Sequence, residues 1–410
     1  MESILEIAKK IKLNGGELYL VGGAVRDKIL NREVHDEDYC VVGLSAEKFK
    51  EIFPKAIERG KSFFVFELYK KEFAIARKEI KIGVGHKKFE IIANEGVTIE
   101  EDLSRRDITI NSIAQNVLTG EIIDIFNGKK DLKNKIIRAT TEKFKEDPLR
   151  VYRVARFASQ LEFEVDKNTL NLMNKLKTEL KTLPKERVFE ELKKALQSNK
   201  PSIFFKILKD AEVLDVHFKE IYDLIGSLQS EKYHPEGDSF NHTMIVLDKA
   251  SEVTKKLEIR FGALVHDLGK GTTPKEMYPD HSGHDERGVE LVNKLGDRTG
   301  VPKLWINCGK LSAKEHMNGG RFGSMTPSDK VSFIERICKT QLGLEGLEII
   351  VNADRARGNI YSKVKFAEIG EKCIQEINGE YIKQKYGKEV GEKFAQKLHE
   401  ERVIWMKKYY

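Results

Sequence analysis

The spacing of apolar and polar positions changes character near residue 140. Before it, short runs rich in β-branched and aromatic residues (ELYLVGG, DYCVVG, SFFVFEL, EFAIARK, KFEIIAN and GEIIDIF) predict strands. Short turn signals separate them, which predicts a mixed or antiparallel sheet. The opening MESILEIAKKIKLNGG has charges interrupting every apolar run and predicts an amphipathic helix rather than a secretory leader. After residue 140, apolar residues recur at the helical spacing of three to four in DPLRVYRVARFASQL, DKNTLNLMNKLKTEL, PKERVFEELKKALQS and PSIFFKILKDAEVL. Proline opens three of these helices near the first position, where its missing N–H costs nothing. SLQSEKYHPEGDSFNH clusters Pro, Gly, Ser and charge and predicts a linker, with helices resuming beyond it. The expected architecture is an α+β sheet head at 1–137, an all-α region at 138–225, a second all-α domain at 226–365 and a helical tail at 366–410.

Composition adds bounds. A chain of 410 residues exceeds one ordinary core. With 33% charged residues and no apolar run near the roughly 20 residues that span a bilayer, a soluble protein without a membrane partner is expected. Cys40, Cys308, Cys338 and Cys373 are scattered and form no CxxC, which fits free thiols in a reducing cytoplasm. A net charge of +7 permits a polyanionic partner without demanding one.

The candidate chemistry starts at LYLVGGAVRDKILNREVHDEDYCVV. Gly22 and Gly23 end an expected strand and let backbone N–H groups approach phosphate closely. Arg26 follows one helical turn later and can fork onto phosphate oxygens. If DEDYCVV is a strand, Asp36 and Asp38 project to one face. Two such carboxylates suit Mg²⁺ shared with substrate phosphates. Two ions held there could activate a hydroxyl and stabilise a leaving pyrophosphate.

Further along, EDPLRVYR places Asp147 before Pro148 as an expected helix N-cap, with Arg150 and Arg153 following at i+3 and i+6. A carboxylate acceptor beside a guanidinium donor can read a Watson–Crick edge. Cytosine and adenine both offer an amine donor next to a ring-nitrogen acceptor; uracil and guanine invert that pattern and leave groups unpaired.

VGGAVRD followed by DEDYCVVG resembles the catalytic signature of class II tRNA nucleotidyltransferases, the CCA-adding enzymes, which share a superfamily with bacterial poly(A) polymerases. EEDLSRRDITINSIAQN is similar to the family's RRD motif, implicating Arg105, Arg106, Asp107 and Asn111 in ribose and triphosphate contacts. IIDIFNGKKDL (Asp124, Gly128, Asp131), KEDPLRVYRVARF and PKERVFEELKK (Arg187, Glu191) resemble its remaining motifs in order, so the likeness covers roughly residues 18–195. The resemblance implies a polymerase β-like head, a base-reading role for Asp147 and Arg150, and Arg153 behind them or on the triphosphate. Polymerases of this superfamily often add a third carboxylate from a neighbouring strand. Here the nearby position is alanine, and Glu67, Glu72 and Glu90 are the candidates, leaving the general base unassigned.

Eight of the ten histidines lie in the second half. SFNHTMIVLDKA, RFGALVHDLGKG, DHSGHDERG and NADRARGN resemble the HD domain, a helical metal-dependent phosphohydrolase. That likeness implies His242, His266, Asp267 and Asp354 as ligands of a transition metal, such as Ni²⁺, Zn²⁺, Mn²⁺ or Fe. His281 and His284 are expected to add a second metal or substrate contacts, with His316 a lesser candidate.

Both halves together resemble the long, HD-bearing multifunctional CCA proteins of bacteria. The expectation is stepwise, template-free addition of C, C and A to tRNA 3′ ends from CTP and ATP with Mg²⁺, the acceptor arm being gripped by shape and phosphates. The HD domain would hydrolyse 2′,3′-cyclic phosphates, 2′-nucleotides or other phosphomonoesters. ARKEIKIGVGHKKFE resembles the flexible loop of full CCA-adders. A CC-adding or A-adding enzyme, or a poly(A) polymerase, is the alternative; a non-catalytic RNA-binding protein is disfavoured by the intact motifs. A cytoplasmic monomer or homodimer is expected.

Overall fold

The structure is a computed structural model. It describes residues 2–34, 36–59, 64–81, 89–232, 234–355, 364–387 and 393–409, without side chains at 79–81 and 89–92. The centre of the expected flexible loop, 82–88, therefore lies outside the described residues. The chain forms two compact units, residues 1–191 with 206–213, and residues 192–205 with 214–410. No helix among the described residues is long and apolar enough to cross a membrane.

In the first unit the chain runs α1 (Ile4–Leu13), β1 (Glu17–Val21), α2 (Gly23–Ile29), β2 (Asp38–Val42), α3 (Ala46–Ile52), β3 (Ile57–Arg59), β4 (Val65–Leu68) and β5 (Lys71–Ile75). Then come β6 (Lys78–Lys81), β7 (Phe89–Ile92), α4 (Ile99–Ser104), β8 (Ala114–Asn116), β9 (Ile122–Ile123), α5 (Gly128–Asn134), β10 (Ile136–Ile137) and α6 (Arg150–Leu161). Ser3 and Glu6 form a capping box on α1, and Thr98 with Glu101 forms another on α4.

Seven strands make one sheet in the order β3-β4-β5-β2-β1-β8-β9. β2 and β5 are parallel and the other neighbours antiparallel, so the sheet is mixed, as the turns suggested. β6 and β7 pair separately. Tyr19, Val21, Cys40 and Ala114 share a buried cluster with Ile99 and Leu103 of α4. Strand side chains alternate, so Asp38 stands on the Cys40 face, at the rim of this core and near α4.

β2 begins at Asp38, not Asp36. Asp36 precedes the strand, so the two carboxylates are not strand neighbours at i and i+2. Asp147 also departs from expectation. Helix α6 starts at Arg150 with Leu149 at its cap, and Asp147 is extended (φ −121, ψ 111). Pro148 explains this, because the residue before proline is pushed out of the helical region. Asp147 still initiates the helix: its carbonyl accepts from Arg150 N–H at 3.1 Å and its carboxylate from Leu149 N–H at 2.9 Å.

The motif around Asp124 is a packing joint. The Asp124 carboxylate accepts the Gly128 and Lys129 N–H groups at 2.6 and 2.9 Å, capping α5. A Cβ on Gly128 would fall 2.4 Å from the Thr109 carbonyl oxygen, so glycine is required there. Buried Asp131 accepts from Thr109 Oγ1 (2.7 Å) and Arg138 Nε (3.1 Å).

The second unit is helical. Ser239–Val253, Leu257–Val265, His284–Thr299, Lys303–Arg321, Pro327–Ile337 and Gly343–Asp354 carry its centre. The tail helices Ala367–Glu376, Gly379–Tyr386 and Phe394–Tyr409 are part of the same body: Cys373, Trp405 and Met406 share a core cluster with Ile334, Leu347 and Val351. The described residues of the expected linker at 227–242 are instead tied into the fold, as a loop up to Asp238 and as the first turn of a helix from Ser239. Asp238 caps its helix through Asn241 N–H (2.9 Å) and accepts Gly226 N–H (2.8 Å), while Ser239 Oγ donates to the Ser227 carbonyl (3.0 Å). These side-chain bonds replace the regular ladder that such a polar stretch lacks.

Candidate active sites

The first unit holds a cavity of about 940 Å³. Gly22, Gly23, Arg26, Asp36, Asp38, Arg106, Asp107, Asn111, Asp147, Arg150 and Arg153, all singled out from sequence, line it together. So do Arg105 and Arg187, and four residues sequence reasoning did not mark: Arg77, Leu149, Arg156 and Phe157. Eight arginines face four aspartates, an excess of positive charge suited to a polyphosphate.

Gly22 caps α2 at φ 72, a conformation open to glycine, and a Cβ there would meet Arg106 Nη1 at 3.1 Å. Most guanidiniums are held by named acceptors. Arg26 donates to Asn111 Oδ1 (2.8 Å) and to Asp27 (2.8 and 2.9 Å). Arg153 donates to Asp107 (2.7 Å), and Arg156 pairs with buried Glu191. Arg26, Arg153 and Arg156 stand 5.4, 5.5 and 3.8 Å from the Phe157 ring centroid, a cation–π cluster.

Arg150 is buried and donates to the carbonyls of Lys143 and Arg105, each at 2.6 Å. The guanidinium paired with the Asp147 carboxylate is Arg187, at 3.1 Å. The expected Asp147–Arg150 reading pair is thus present in the cavity wall, but in this conformation Arg150 braces the backbone.

Burial would raise the Asp107 carboxyl, yet Arg153 outweighs it and holds it at about 2. Asp102, just behind the cavity, shows the same balance: burial raises, Arg105 and Arg106 prevail, and it rests at about 2. Asp38 opens to the cavity, but burial within the cleft raises its pKa against the pull of Arg106, and Asp36 raises it further. Two crowded carboxylates of this kind fit a divalent cation, which would relieve their repulsion.

Among the third-carboxylate candidates, Glu67 on β4 is bound at 2.7 Å by Arg59 of the edge strand β3. Glu72 lies opposite Asp38 in the β2–β5 register without lining the cavity. The Glu90 side chain lies outside the described residues.

The second unit holds a cavity of about 570 Å³ lined by Asp267, Lys270, His281, His284, His316 and Asp354 among others. Two ligand groups meet there. His242, His266, Asp267 and Asp354 form one, and Asp267, His284 and His316 the other. His242 Nε2 is 2.9 Å from Asp354 Oδ1, and His266 Nε2 is 3.2 Å from Asp267 Oδ2. His284 and His316 each place Nε2 3.3 Å from Asp267 Oδ1. Asp267 is shared, one oxygen toward each group.

In all four rings Nδ1 faces an oxygen acceptor: Glu236 for His242 (2.6 Å), Ala263 for His266 (2.8 Å), His281 for His284 (2.9 Å) and Ala313 for His316 (2.9 Å). An oxygen without hydrogen can only accept, so Nδ1 carries the proton and Nε2 offers its lone pair. His266 Nε2 and both Asp267 oxygens are sealed from water; apart from Lys270 Nζ, 2.6 Å from Asp267 Oδ2, they face only one another and the other ring nitrogens, none in hydrogen-bond alignment. Buried polar atoms of this kind are costly, and a divalent cation would satisfy them. Burial pulls His266 down, but in the metal-free protein Asp267 and Asp354 outweigh burial and raise it to about 10, so a metal bound there would displace the Nε2 proton. Burial likewise opposes His242, which Asp354 and Glu236 nonetheless raise.

His281 does not join either group. Its ring bonds Thr273 Oγ1 (3.0 Å) and the Leu228 carbonyl (2.9 Å), making it part of the scaffold. Its expected place as an accessory ligand passes to His316, which lies mid-helix in Lys303–Arg321. Gly269 lets the HDLGKG turn abut the His284 helix, since a Cβ there would overlap the His284 carbonyl at 1.8 Å.

A mixed-sheet head with an aspartate pair in an arginine-lined cavity, followed by helices and a second metal-type site, defines a nucleotidyltransferase with an HD domain. Residues 18–138 match the Poly A polymerase head domain family. Residues 162–224 match the family described as "Probable RNA and SrmB- binding site of polymerase A", and 239–334 the HD domain. This domain order is consistent with a long CCA-adding enzyme bearing an HD domain, and both catalytic domain types imply divalent-metal dependence.

Solved structures share the fold. A CCA-adding enzyme in apo form II is 21% identical with a TM-score of 0.66, over 97% of this chain and 91% of that one. A CCA-adding enzyme in complex with ATP is 21% identical, TM-score 0.65, over 98% and 88%. A Thermotoga maritima CCA-adding enzyme complexed with tRNA(CCA) is 21% identical, TM-score 0.65, over 98% and 89%.

Proposed function

We propose that this enzyme adds C, C and A in turn to the 3′ end of tRNA, using CTP and ATP without a nucleic-acid template. The observation that carries the reading is one cavity combining the Asp36–Asp38 pair, an arginine-rich wall and the Asp147 acceptor. Structural neighbours that bind CTP, ATP and tRNA support it. Mg²⁺ held by Asp36 and Asp38 would supply charge neutralisation for the attacking hydroxyl and leaving pyrophosphate. Arg26 and Arg106 would take phosphate oxygens beside Gly22 and Gly23. Asp107 and Asn111, linked at 3.3 Å, would face the ribose. Asp147 would accept the amine that C and A share, with a guanidinium beside it donating to the ring nitrogen. We place the activity in the cytoplasm. The test uses tRNA trimmed of its last three nucleotides. Two additions with CTP alone and a third only with ATP present support the reading; a long A-tail, or arrest after CC with both nucleotides present, favours the poly(A) polymerase or partial-adding alternative.

A second activity is proposed for the HD domain, because its converging Nε2 atoms and the buried Asp267 and Asp354 carboxylates form a metal-type centre. His242, His266, Asp267 and Asp354 would hold one transition metal, such as Ni²⁺, and Asp267, His284 and His316 a second. The metals would supply an activated water for phosphoester hydrolysis. Hydrolysis of 2′,3′-cyclic AMP should require added metal and vanish in His266→Ala and Asp267→Ala; metal-independent or undiminished hydrolysis refutes it.

A further inference from the structure

We propose that Asp102, a residue behind the cavity wall, positions the arginines that take the triphosphate of either incoming nucleotide; this rests on the nucleotidyltransferase reading above. Asp102 sits on α4, one turn before the paired arginines, and is only 1% exposed. One oxygen accepts from Arg105 Nε (2.9 Å) and Nη2 (2.6 Å), the other from Arg106 Nε (3.3 Å) and Nη2 (3.0 Å). Both arginines line the cavity, whereas Asp102 does not. One carboxylate thus fixes two guanidiniums, and the trio keeps one net positive charge toward the ligand.

The geometry also has a direction. Because Nε and Nη2 of Arg106 are committed to Asp102, Nη1 is turned toward Gly22, 3.1 Å from the place a Cβ would take. Gly22 is the strand-end glycine of the phosphate cradle, and Asp38 stands on the same sheet face as the core under α4. The Asp102 oxygen that holds Arg105 also accepts the Arg77 backbone N–H at 3.4 Å, bringing the segment after β5 to the same anchor. An ion pair needed only for packing would be satisfied by one arginine. Arg106 held edge-on with Nη1 turned to the cradle, beside Arg105 on the same carboxylate and in the same cavity wall, forms a preorganised anion clamp. The ligand it fits is the phosphate tail common to CTP and ATP, not the base.

The test compares full-length wild type and Asp102→Asn on tRNA trimmed of its last three nucleotides. Asn keeps the shape but removes the charge that orients both arginines. KM should rise about tenfold to a hundredfold for CTP and ATP alike, with kcat per folded enzyme changed by less than about threefold and C/A selection retained. A merely structural role would lower the folded, active fraction and leave KM unmoved; that result, or a rise for one nucleotide only, overturns the inference. A wild type that adds no nucleotide refutes the enzyme reading itself, which is a separate outcome. Should the variant not fold, wild-type arginine Nε–H resonances followed during a CTP–Mg²⁺ titration decide. The Arg106–Asp102 bond should persist while the Arg106 signal shifts with ligand; its rupture, or no shift, overturns the inference.

Discussion

Asp147→Ala asks whether protein side chains choose the base. In the structure Oδ1 of Asp147 accepts from Leu149 N–H at 2.9 Å and Oδ2 from Arg187 at 3.1 Å. Each carboxylate oxygen has two lone pairs, so both bonds can stay while an exocyclic amine of cytosine or adenine is accepted. The side chain is 27% exposed in the cavity, within reach of a ligand. Uracil and guanine would set a carbonyl oxygen against the carboxylate instead. Removing the acceptor removes one charge-assisted bond from the correct nucleotides, about 1.5–3 kcal/mol, or roughly tenfold to 150-fold in discrimination. Arg187 also loses its partner, but that partly exposed pair contributes under about 1 kcal/mol. The assay is the ratio of kcat/KM for CTP over UTP, and for ATP over GTP, on tRNA ending at the discriminator base. Both ratios should fall by that factor with the metal requirement unchanged. Wild-type ratios in the variant would refute side-chain reading by Asp147, leaving Arg150 or the tRNA itself to account for selection.

Acid should loosen the head in a defined window. Asp102 and Asp107 are held at about 2 in the folded protein, below the ordinary carboxyl value of 3.8. Their contribution, about 2 kcal/mol each, is therefore complete above pH ~4 and is lost as pH falls through ~2. Hydrogen exchange of peptides spanning 102–116 should follow it, and Asp107→Asn should remove its share of that dependence; intrinsic fluorescence would not, since Trp305 and Trp405 both belong to the second unit. In the HD centre, His316→Ala and His284→Ala should lower metal content of the reconstituted protein from about two equivalents to about one, read by elemental analysis, and unchanged content refutes the second position. Gly269→Ala should destabilise by about 2 kcal/mol or more through overpacking and should weaken metal uptake, because the His284 carbonyl lies 1.8 Å from the added Cβ position. A melting temperature within 1 °C of wild type would contradict that assignment.

The residues that meet in the head cavity were legible because each belongs to a short local pattern: glycines ending a strand, an Asp-x-Asp, an RRD run, an acid before proline. What holds those groups was not. EEDLSRR offers three consecutive acids, Glu100, Glu101 and Asp102, and only burial of the Ile99–Leu103 face selects Asp102. The i+3 and i+4 spacing to Arg105 and Arg106 was the available signal. Arg150 was read as a free donor beside Asp147, yet its burial gives it two carbonyls to satisfy, which spacing cannot show. The polar stretch at 227–242 read as a linker because composition does not record that Asp238 and Ser239 tie its loop back to Gly226 and Ser227.

The histidines show where such reading runs out. DHSGH advertises two ligands at i and i+3, while His316 stands mid-helix with no flanking motif. Three of the four converging rings use one device: His266, His284 and His316 each donate Nδ1–H to the carbonyl three residues earlier. A helical turn, or the bend entering one, supplies that acceptor with no dedicated side chain, so nothing around His316 needs to look like a metal site. The same rule explains His281. Its backbone carbonyl holds the His284 ring, while its own nitrogens are spent on Thr273 and Leu228. Position i carries the acceptor and position i+3 the ligand, which separates two histidines that residue type alone makes equal. His242 differs, because its Nδ1 rests on Glu236 rather than on the backbone. Its orientation therefore depends on an ordered side chain in the loop between Gln229 and Asp238, so that loop contributes to the geometry of the centre as well as to its wall.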